Sequence, residues 1–212
     1  MTEEIVFYAH PMSRARTVRW MLEEIDQPYE TKLVEFGVTT RSPEFLKINP
    51  MGKVPALTHG AAVVTETVAI CAYLADAFPA AKLAPEPGDH AARAAYFRWL
   101  FFAAGPLEAA VTDAFLGVTI PEDRQGTVGY GDLNRTVDAI ESAVRGKSFV
   151  AGDRFSTADL IVTAYLDFYR QMKLLPERSS FAGYIAQHKQ RPAAVRADKI
   201  DNDLIAAAQA GG

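Results

Sequence analysis

The chain has 212 residues, of which 49% are hydrophobic and 23% are charged, a balance typical of a globular protein with one large or two smaller domains. Its formal net charge is −4, so neither a nucleic acid nor an anionic membrane is expected as a partner. The single cysteine, Cys71, excludes an internal disulfide and favours a cytoplasmic protein, and no apolar run approaches the roughly 20 residues that a membrane helix needs.

The first third of the chain alternates between strand and helix patterns. Ile5–Ala9 is a short apolar run that predicts a buried strand. Ser13 then stands in the position of a helix N-cap before a long amphipathic pattern, which Pro28 ends. A second strand is predicted within Tyr29–Phe36, and Ser42–Glu44 begins a short helix with proline at its first position.

A β-hairpin is predicted between Asn49 and Thr67, where two short apolar runs flank a turn at His59-Gly60. The first run opens with Val54-Pro55. Proline has no N–H and restrains the residue before it to an extended shape. Val54 can then present its own N–H and C=O to an extended peptide, as in strand addition to a sheet edge.

The hairpin leads directly into another helical pattern, which begins at Glu66-Thr67 and runs to Phe78. The free N–H groups and partial positive charge of a helix start can hold a carboxylate, and the Glu66 carboxylate can hold an ammonium. A ligand that is peptide-like in the middle and zwitterionic at one end fits this combination. The order of elements up to Phe78 predicts a thioredoxin-like α/β domain.

A cluster of prolines and glycine from Pro79 to Gly88 indicates a linker, and every later pattern is helical. We therefore predict a thioredoxin-like domain over residues 1–80, a linker over 81–87 and an all-α helical domain over 88–212. The predicted helices of the second domain are His90–Ala104, Leu107–Leu116, Asp132–Arg145, Ser156–Tyr169, Glu177–Lys189 and Ala193–Ala208.

The clearest local signal in the helical domain is Ser156-Thr157-Ala158-Asp159, which predicts a capping box. Phe155 and Leu160 occupy the two positions of a hydrophobic staple around it. We assign this segment a structural role without chemistry.

The run Asn49-Pro50-Met51-Gly52-Lys53-Val54-Pro55-Ala56-Leu57, followed by Glu66-Thr67 before a helix, resembles the cytosolic glutathione S-transferase family. The capping box is similar to one in that family's helical domain. The resemblance implies an enzyme that adds the glutathione thiolate to a hydrophobic electrophile. It also implies a homodimer that uses glutathione as a co-substrate and needs no metal or organic cofactor.

The same resemblance implies a glutathione site made of Lys53, Val54, Pro55, Glu66 and Thr67. Val54 is expected to bind through its backbone, across a cis peptide bond to Pro55. Glu66 is expected to bind the ammonium of glutathione, and Lys53 its glycine carboxylate.

Ser13 is the candidate catalytic residue, because it lies where the first strand ends and the first helix begins. A thiol has a pKa of about 8.5, and a hydrogen-bond donor at a helix start lowers that pKa. The turn resembles bacterial members that read Ser-x-x-x-x-Val-Arg, a pattern that Ser13 fits, but some serine-type classes, counted back from Arg19, would place the serine at Met12. Two alternatives therefore stay open: Ser13 is a helix cap only, or a main-chain N–H, Arg14 or Arg16 helps to activate the thiol.

Four aromatic residues of the helical domain are candidates to line the pocket for the hydrophobic substrate: Tyr96, Trp99, Phe102 and Phe115. Aromatic residues at helical spacing also mark a helix face that is buried in the core. The four histidines are scattered, so no metal site is predicted.

Two other functions fit the same resemblance. One is a glutathione-dependent peroxidase or disulfide reductase. The other is a non-catalytic protein that binds glutathione or hydrophobic ligands.

Overall fold

A computed structural model of the protein describes residues 3–210. The chain forms two compact units. The first combines the described residues up to Lys82 with those from Arg191 onward, and the second is Leu83–Gln190. None of the helices within residues 3–210 has both the length and the apolar character that crossing a lipid bilayer requires.

The first unit is built on a four-stranded mixed sheet with the strand order β2-β1-β3-β4. The central strand β1 is parallel to β2 and antiparallel to β3, which in turn pairs antiparallel with β4. This is the thioredoxin-like arrangement that the sequence predicts. The four strands are β1 (Ile5–Ala9), β2 (Glu30–Leu33), β3 (Ala56–His59) and β4 (Ala62–Thr65).

The burial of these strands follows their sequences. β1 is apolar and almost entirely buried, as expected for a central strand with covered faces. β2 is an edge strand with charged residues and is mostly exposed. The helices of this unit are α1 (Ala15–Ile25), α2 (Pro43–Ile48), α3 (Thr67–Ala77) and, at the other end of the chain, α9 (Pro192–Ala210).

The position of α9 differs from the predicted domain division, which placed all of 88–212 in one helical domain. The last helix instead packs on α1 within the first unit. The helical pattern of the sequence does not reveal this packing, which involves pairs of charged residues that join α1 to α9 and to Arg191, the residue before α9. The partly exposed pairs are Arg16–Asp198 (3.2 Å), Arg191–Glu24 (2.7 Å) and Arg196–Glu23 (2.9 Å).

The regular secondary structure of the second unit, Leu83–Gln190, is entirely helical. The Gly105-Pro106 pair, which lies between the predicted helices His90–Ala104 and Leu107–Leu116, is part of a π-helical turn over Ala103–Leu107 that joins α4 to α5 without interruption. The helices are α4 (His90–Phe102), α5 (Glu108–Phe115), α6 (Leu133–Val144), α7 (Thr157–Gln171) and α8 (Ser179–Lys189).

The predicted capping box forms at the start of α7, the most buried helix of this unit. The carboxylate of Asp159, which is fully buried, accepts hydrogen bonds from the Ser156 N–H (2.8 Å) and the Ser156 hydroxyl (2.9 Å). It also accepts from the Val150 N–H (2.7 Å) and from the Tyr184 hydroxyl (2.6 Å). Asp159 therefore links three segments of the unit and does more than cap one helix.

Candidate functional site

Strand register alone brings the three candidate segments to one end of the sheet. Ala56 in β3 is paired with Tyr8 in β1 and with Thr65 in β4. Because both pairings are antiparallel, the chain beyond the end of β1, before the start of β3 and beyond the end of β4 leaves the sheet on the same side. These segments are the Ser13 turn (residues 10–16), Val54-Pro55 and Glu66-Thr67.

The Val54–Pro55 peptide bond is cis, as predicted from the resemblance. The half-buried Val54 side chain packs against the cluster of Val34, Phe45 and Ala56. Within residues 3–210 the backbone N–H and C=O of Val54 make no hydrogen bond. Both groups are therefore available to an extended peptide, as strand addition requires.

Replacing Val54 with alanine is therefore expected to change glutathione affinity by less than about threefold, roughly 0.6 kcal/mol. The contact is made by the main chain, and the substitution removes only methyl groups that face the core. Calorimetric titration of glutathione into the variant and the parent checks this. A loss of tenfold or more would show that the side chain takes part in binding.

The loop before Val54 is held by Asn49, a residue whose role the sequence did not reveal. Its side chain, which is 3% exposed, donates to the Lys53 carbonyl (2.8 Å) and accepts from the Met51 N–H (3.1 Å). Gly52 has a φ of +61°, and a Cβ there would lie 2.7 Å from the Thr40 carbonyl oxygen. Asparagine and glycine in this run read as turn residues, but their contacts depend on tertiary neighbours.

Lys53 itself is exposed, and its ammonium forms no ion pair within the described part of the chain. Its position in the loop is set by the Asn49 hydrogen bond to its carbonyl. The side chain is thus free to meet a carboxylate at the sheet edge.

Glu66, at the N-cap of α3, has a backbone conformation that its sequence did not reveal. Its φ is +71° and its ψ is 121°, a combination that costs a non-glycine residue on the order of 1–3 kcal/mol. The side chain is exposed and has no partner within residues 3–210. Strained backbone conformations of this kind occur most often at binding and active sites, where the surrounding structure fixes the residue in one conformation.

The start of α3 is suited to an anion. Its first turn carries no acidic side chain, and Glu66 at the N-cap makes no side-chain hydrogen bond to the helix N–H groups, which leaves these groups available to an anion. Thr67, the first residue of the helix, is 9% exposed. Glu66 and the first N–H groups of α3 therefore present a negative group and an anion-binding group side by side.

Ser13 uses its hydroxyl locally. The Oγ donates to the His10 carbonyl (2.7 Å) and accepts from the Ala15 N–H (3.0 Å). To donate to a sulfur atom, the hydroxyl must rotate away from His10. The neighbouring Met12, where some serine-type classes would place the serine, is 70% exposed.

Arg16, one of the alternative activating groups in this turn, is hydrogen-bonded to residues of α9. Its guanidinium donates to Asp198 (3.2 Å) and to Asn202 (3.0 Å). These two bonds hold the guanidinium at the C-terminal helix.

The four aromatic residues predicted to line a pocket have different environments. Tyr96 is 2% exposed and Trp99 is 6% exposed, and both lie on the buried stripe of α4 with Leu100. Their burial is that of core residues. Phe102 is half-buried, whereas Phe115 at the end of α5 is 65% exposed.

The cysteine and the potential metal ligands within residues 3–210 do not form a second reactive site. Cys71 is fully buried in α3, and burial raises the pKa of its thiol, which disfavours thiolate chemistry at this residue. Between residues 3 and 210, no three His, Cys, Asp or Glu residues are placed to hold a metal ion.

Comparison with known proteins gives two family matches and many relatives. The family model described as "Glutathione S-transferase, N-terminal domain" matches residues 3–76, and "Glutathione S-transferase, C-terminal domain" matches residues 129–190. Glutathione S-transferase GstA of Escherichia coli O157:H7 is 30% identical over 151 residues, which cover 70% of this chain and 74% of that protein.

Solved structures of similar chains extend over nearly the whole length. A glutathione transferase from Methylococcus capsulatus is 27% identical with a TM-score of 0.74, and the match covers 93% of this chain and 98% of that one. A sphingomonad glutathione S-transferase, solved in complex with glutathione, is 26% identical with a TM-score of 0.73 and the same coverage of 93% and 98%.

Proposed function

This chain belongs to the glutathione S-transferase family, and from that premise we propose that it conjugates the glutathione thiolate to hydrophobic electrophiles. The observation that carries the proposal is the strand register, which gathers Val54-Pro55, Glu66-Thr67 and the Ser13 turn at one end of the sheet. The proposal includes a homodimer in the cytoplasm, as is typical of the family.

Glutathione matches the groups at this edge one by one. The Val54 backbone pairs with the cysteinyl unit of the tripeptide, since both of its hydrogen-bonding groups are unused. The Glu66 carboxylate takes the ammonium of the γ-glutamyl unit, and the N–H groups at Thr67 take the neighbouring carboxylate. Lys53 takes the glycine carboxylate.

The chemistry needs only an ionised thiol and an electrophile. Binding lowers the pKa of the thiol, its proton passes to water, and the thiolate attacks the electrophilic carbon to form a thioether as the leaving group departs. The Ser13 hydroxyl serves as the donor that stabilises the thiolate. Glutathione is a co-substrate in this reaction.

For the second substrate, we propose that Phe102 and Phe115 supply apolar contacts. Both have accessible side-chain surface, whereas Tyr96 and Trp99 are committed to the core. An apolar electrophile gains from burial against such surface by about 25 cal/mol per Å².

Replacing Ser13 with alanine is expected to raise the pKa of bound glutathione by about one to two units, with little change in binding. A hydrogen bond to a charged atom is worth about 1.5–3 kcal/mol, and one pKa unit corresponds to about 1.4 kcal/mol. The ultraviolet absorbance of the thiolate, followed against pH, measures the shift directly.

Ser42→Ala is a matched control, because Ser42 also accepts a backbone N–H at a helix start but lies at α2. It should leave the thiol pKa unchanged. If Ser13→Ala titrates like the parent, Ser13 is only a cap and another group of the turn activates the thiol.

Turnover and binding measurements on the parent protein distinguish the proposed conjugation reaction from the two alternative functions. We expect turnover of an aryl halide with glutathione to exceed turnover of an organic peroxide. The reverse order would identify a peroxidase. Glutathione binding without a thiolate signal would identify a non-catalytic binding protein.

A further inference from the structure

Arg19 of α1 and Asp201 of α9 form a buried ion pair within the first unit. The Arg19 Nε and the Asp201 Oδ1 lie 2.7 Å apart, and the two side chains are 1% and 2% exposed. One guanidinium nitrogen and the second carboxylate oxygen are buried and find no partner in the described part of the chain. Buried pairs with such incomplete bonding are poor sources of stability, so the pair calls for another explanation.

The other contacts of Arg19 reach the sheet. Its Nη1 donates to the Thr31 hydroxyl of β2 (3.1 Å) and lies 3.4 Å from the Tyr29 hydroxyl. Its guanidinium carbon is 5.1 Å from the centre of the Phe7 ring in β1. Arg19 therefore ties α1 to α9 on one side and to both strands of the β1–β2 pair on the other.

α1 carries the Ser13 turn at its N-terminus. The Ala15 N–H, at the first residue of the helix, donates to the Ser13 Oγ, and the Arg16 N–H donates to the Ser13 carbonyl (3.2 Å). Arg19 lies one helical turn after Ala15. A shift or rotation of α1 is thus transmitted to Ser13 through its own hydrogen bonds.

The parts of the glutathione site that bind the ends of the tripeptide are built differently. Val54 and Glu66 flank the β3–β4 hairpin, one before β3 and one after β4, and Asn49 and Gly52 hold the loop before Val54. None of these residues belongs to α1 or α9. The site therefore divides into a hairpin part that anchors the ligand and an α1 part that faces its thiol.

We propose that Asp201, acting through Arg19, is a positioning residue for thiol activation, so that the C-terminal helix sets the placement of the Ser13 turn. This inference rests on the proposed function. It assigns a catalytic consequence to a residue of α9 that is far from Ser13 along the chain. Asp201 touches neither substrate and acts only through Arg19.

The test uses the double variant Arg19→Met with Asp201→Leu, which removes both buried charges and leaves neither unpaired. We expect the pKa of bound glutathione to rise by about one unit and kcat/KM at neutral pH to fall about tenfold. Affinity for S-methylglutathione, which keeps the ammonium and both carboxylates but has no ionisable thiol, should stay within about twofold.

A second variant, Arg19→Lys, keeps the charge pair but cannot bridge Asp201 and Thr31 together. It should raise the thiol pKa in the same direction. Asp203→Asn is the matched control, because Asp203 lies on the same helix and, among residues 3–210, pairs only with the exposed Lys199. It should behave like the parent in all three measurements.

Two results would overturn the inference. One is a parent-like thiol pKa in either Arg19 variant when its circular dichroism matches that of the parent. The other is a loss of S-methylglutathione affinity in parallel with the change in pKa, which would mean a general loss of structure. If the parent itself binds glutathione without forming a thiolate, the proposed function fails, and that outcome is read from the parent alone.

Discussion

Glu66→Ala is expected to lower glutathione affinity about 10- to 150-fold, the equivalent of roughly 1.5–3 kcal/mol. The reason is that the ammonium of the γ-glutamyl unit would lose its charged partner on leaving water. Since Glu66 is exposed and has no partner within residues 3–210, its removal leaves no protein group unsatisfied. Calorimetric titration with S-methylglutathione measures the loss without interference from thiol ionisation.

Because Glu66 has a positive φ, substitutions at this position can show separately the effect on glutathione affinity and the effect on protein stability. Glycine adopts this backbone conformation without a steric penalty, so Glu66→Gly should unfold no more easily than the parent while binding as poorly as Glu66→Ala. Glu44→Ala is the control, because Glu44 is an exposed acid in the first turn of another helix, α2. Binding by Glu66→Ala within threefold of the parent would remove Glu66 from the site.

Asp159→Ala is expected to destabilise the protein by on the order of 3–5 kcal/mol, well above the roughly 1 kcal/mol that a lost cap costs. The Asp159 carboxylate is the acceptor for Val150, Ser156 and Tyr184, so the substitution leaves several buried donors unsatisfied. Thermal unfolding should show a midpoint lowered by roughly 10 °C. Glutathione affinity of the folded fraction should not change.

The matched control is Asp132→Ala. Asp132 also caps a helix, α6, where it accepts the Arg135 N–H (2.9 Å) and pairs with the exposed Arg135 guanidinium (3.0 Å), so its loss leaves no buried donor unsatisfied. Its loss should cost about 1 kcal/mol. Equal unfolding midpoints for the two variants would contradict the role assigned to the Asp159 network.

The fold of the first 80 residues could be read from local patterns. The apolar run at Ile5–Ala9, the turn at His59-Gly60 and the cap at Ser42 each depend on neighbours in the sequence. The structure has the strand, the hairpin and the cap at these places. The capping box at Ser156 is local in the same way, and it forms as predicted.

What escaped prediction depends on distant neighbours. An amphipathic pattern shows that α9 has a face to bury, but it does not show that α1 covers this face or which charged residues of the two helices pair. Helical spacing placed Tyr96 and Trp99 on one stripe without showing whether a core or a ligand covers it. The positive φ of Glu66 is likewise a property of the folded chain that no local pattern showed.

The packing of α9 on α1 makes the first unit discontinuous, and this bears on synthesis by the ribosome. The strands and α1–α3 emerge first, but Leu83–Gln190 must be made before α9 can follow. At about 5–20 residues per second, a segment on the order of 100 residues takes roughly 5–20 s. During that interval the guanidinium of Arg19 lacks Asp201, so the nascent domain completes its fold only after translation of the C-terminal helix.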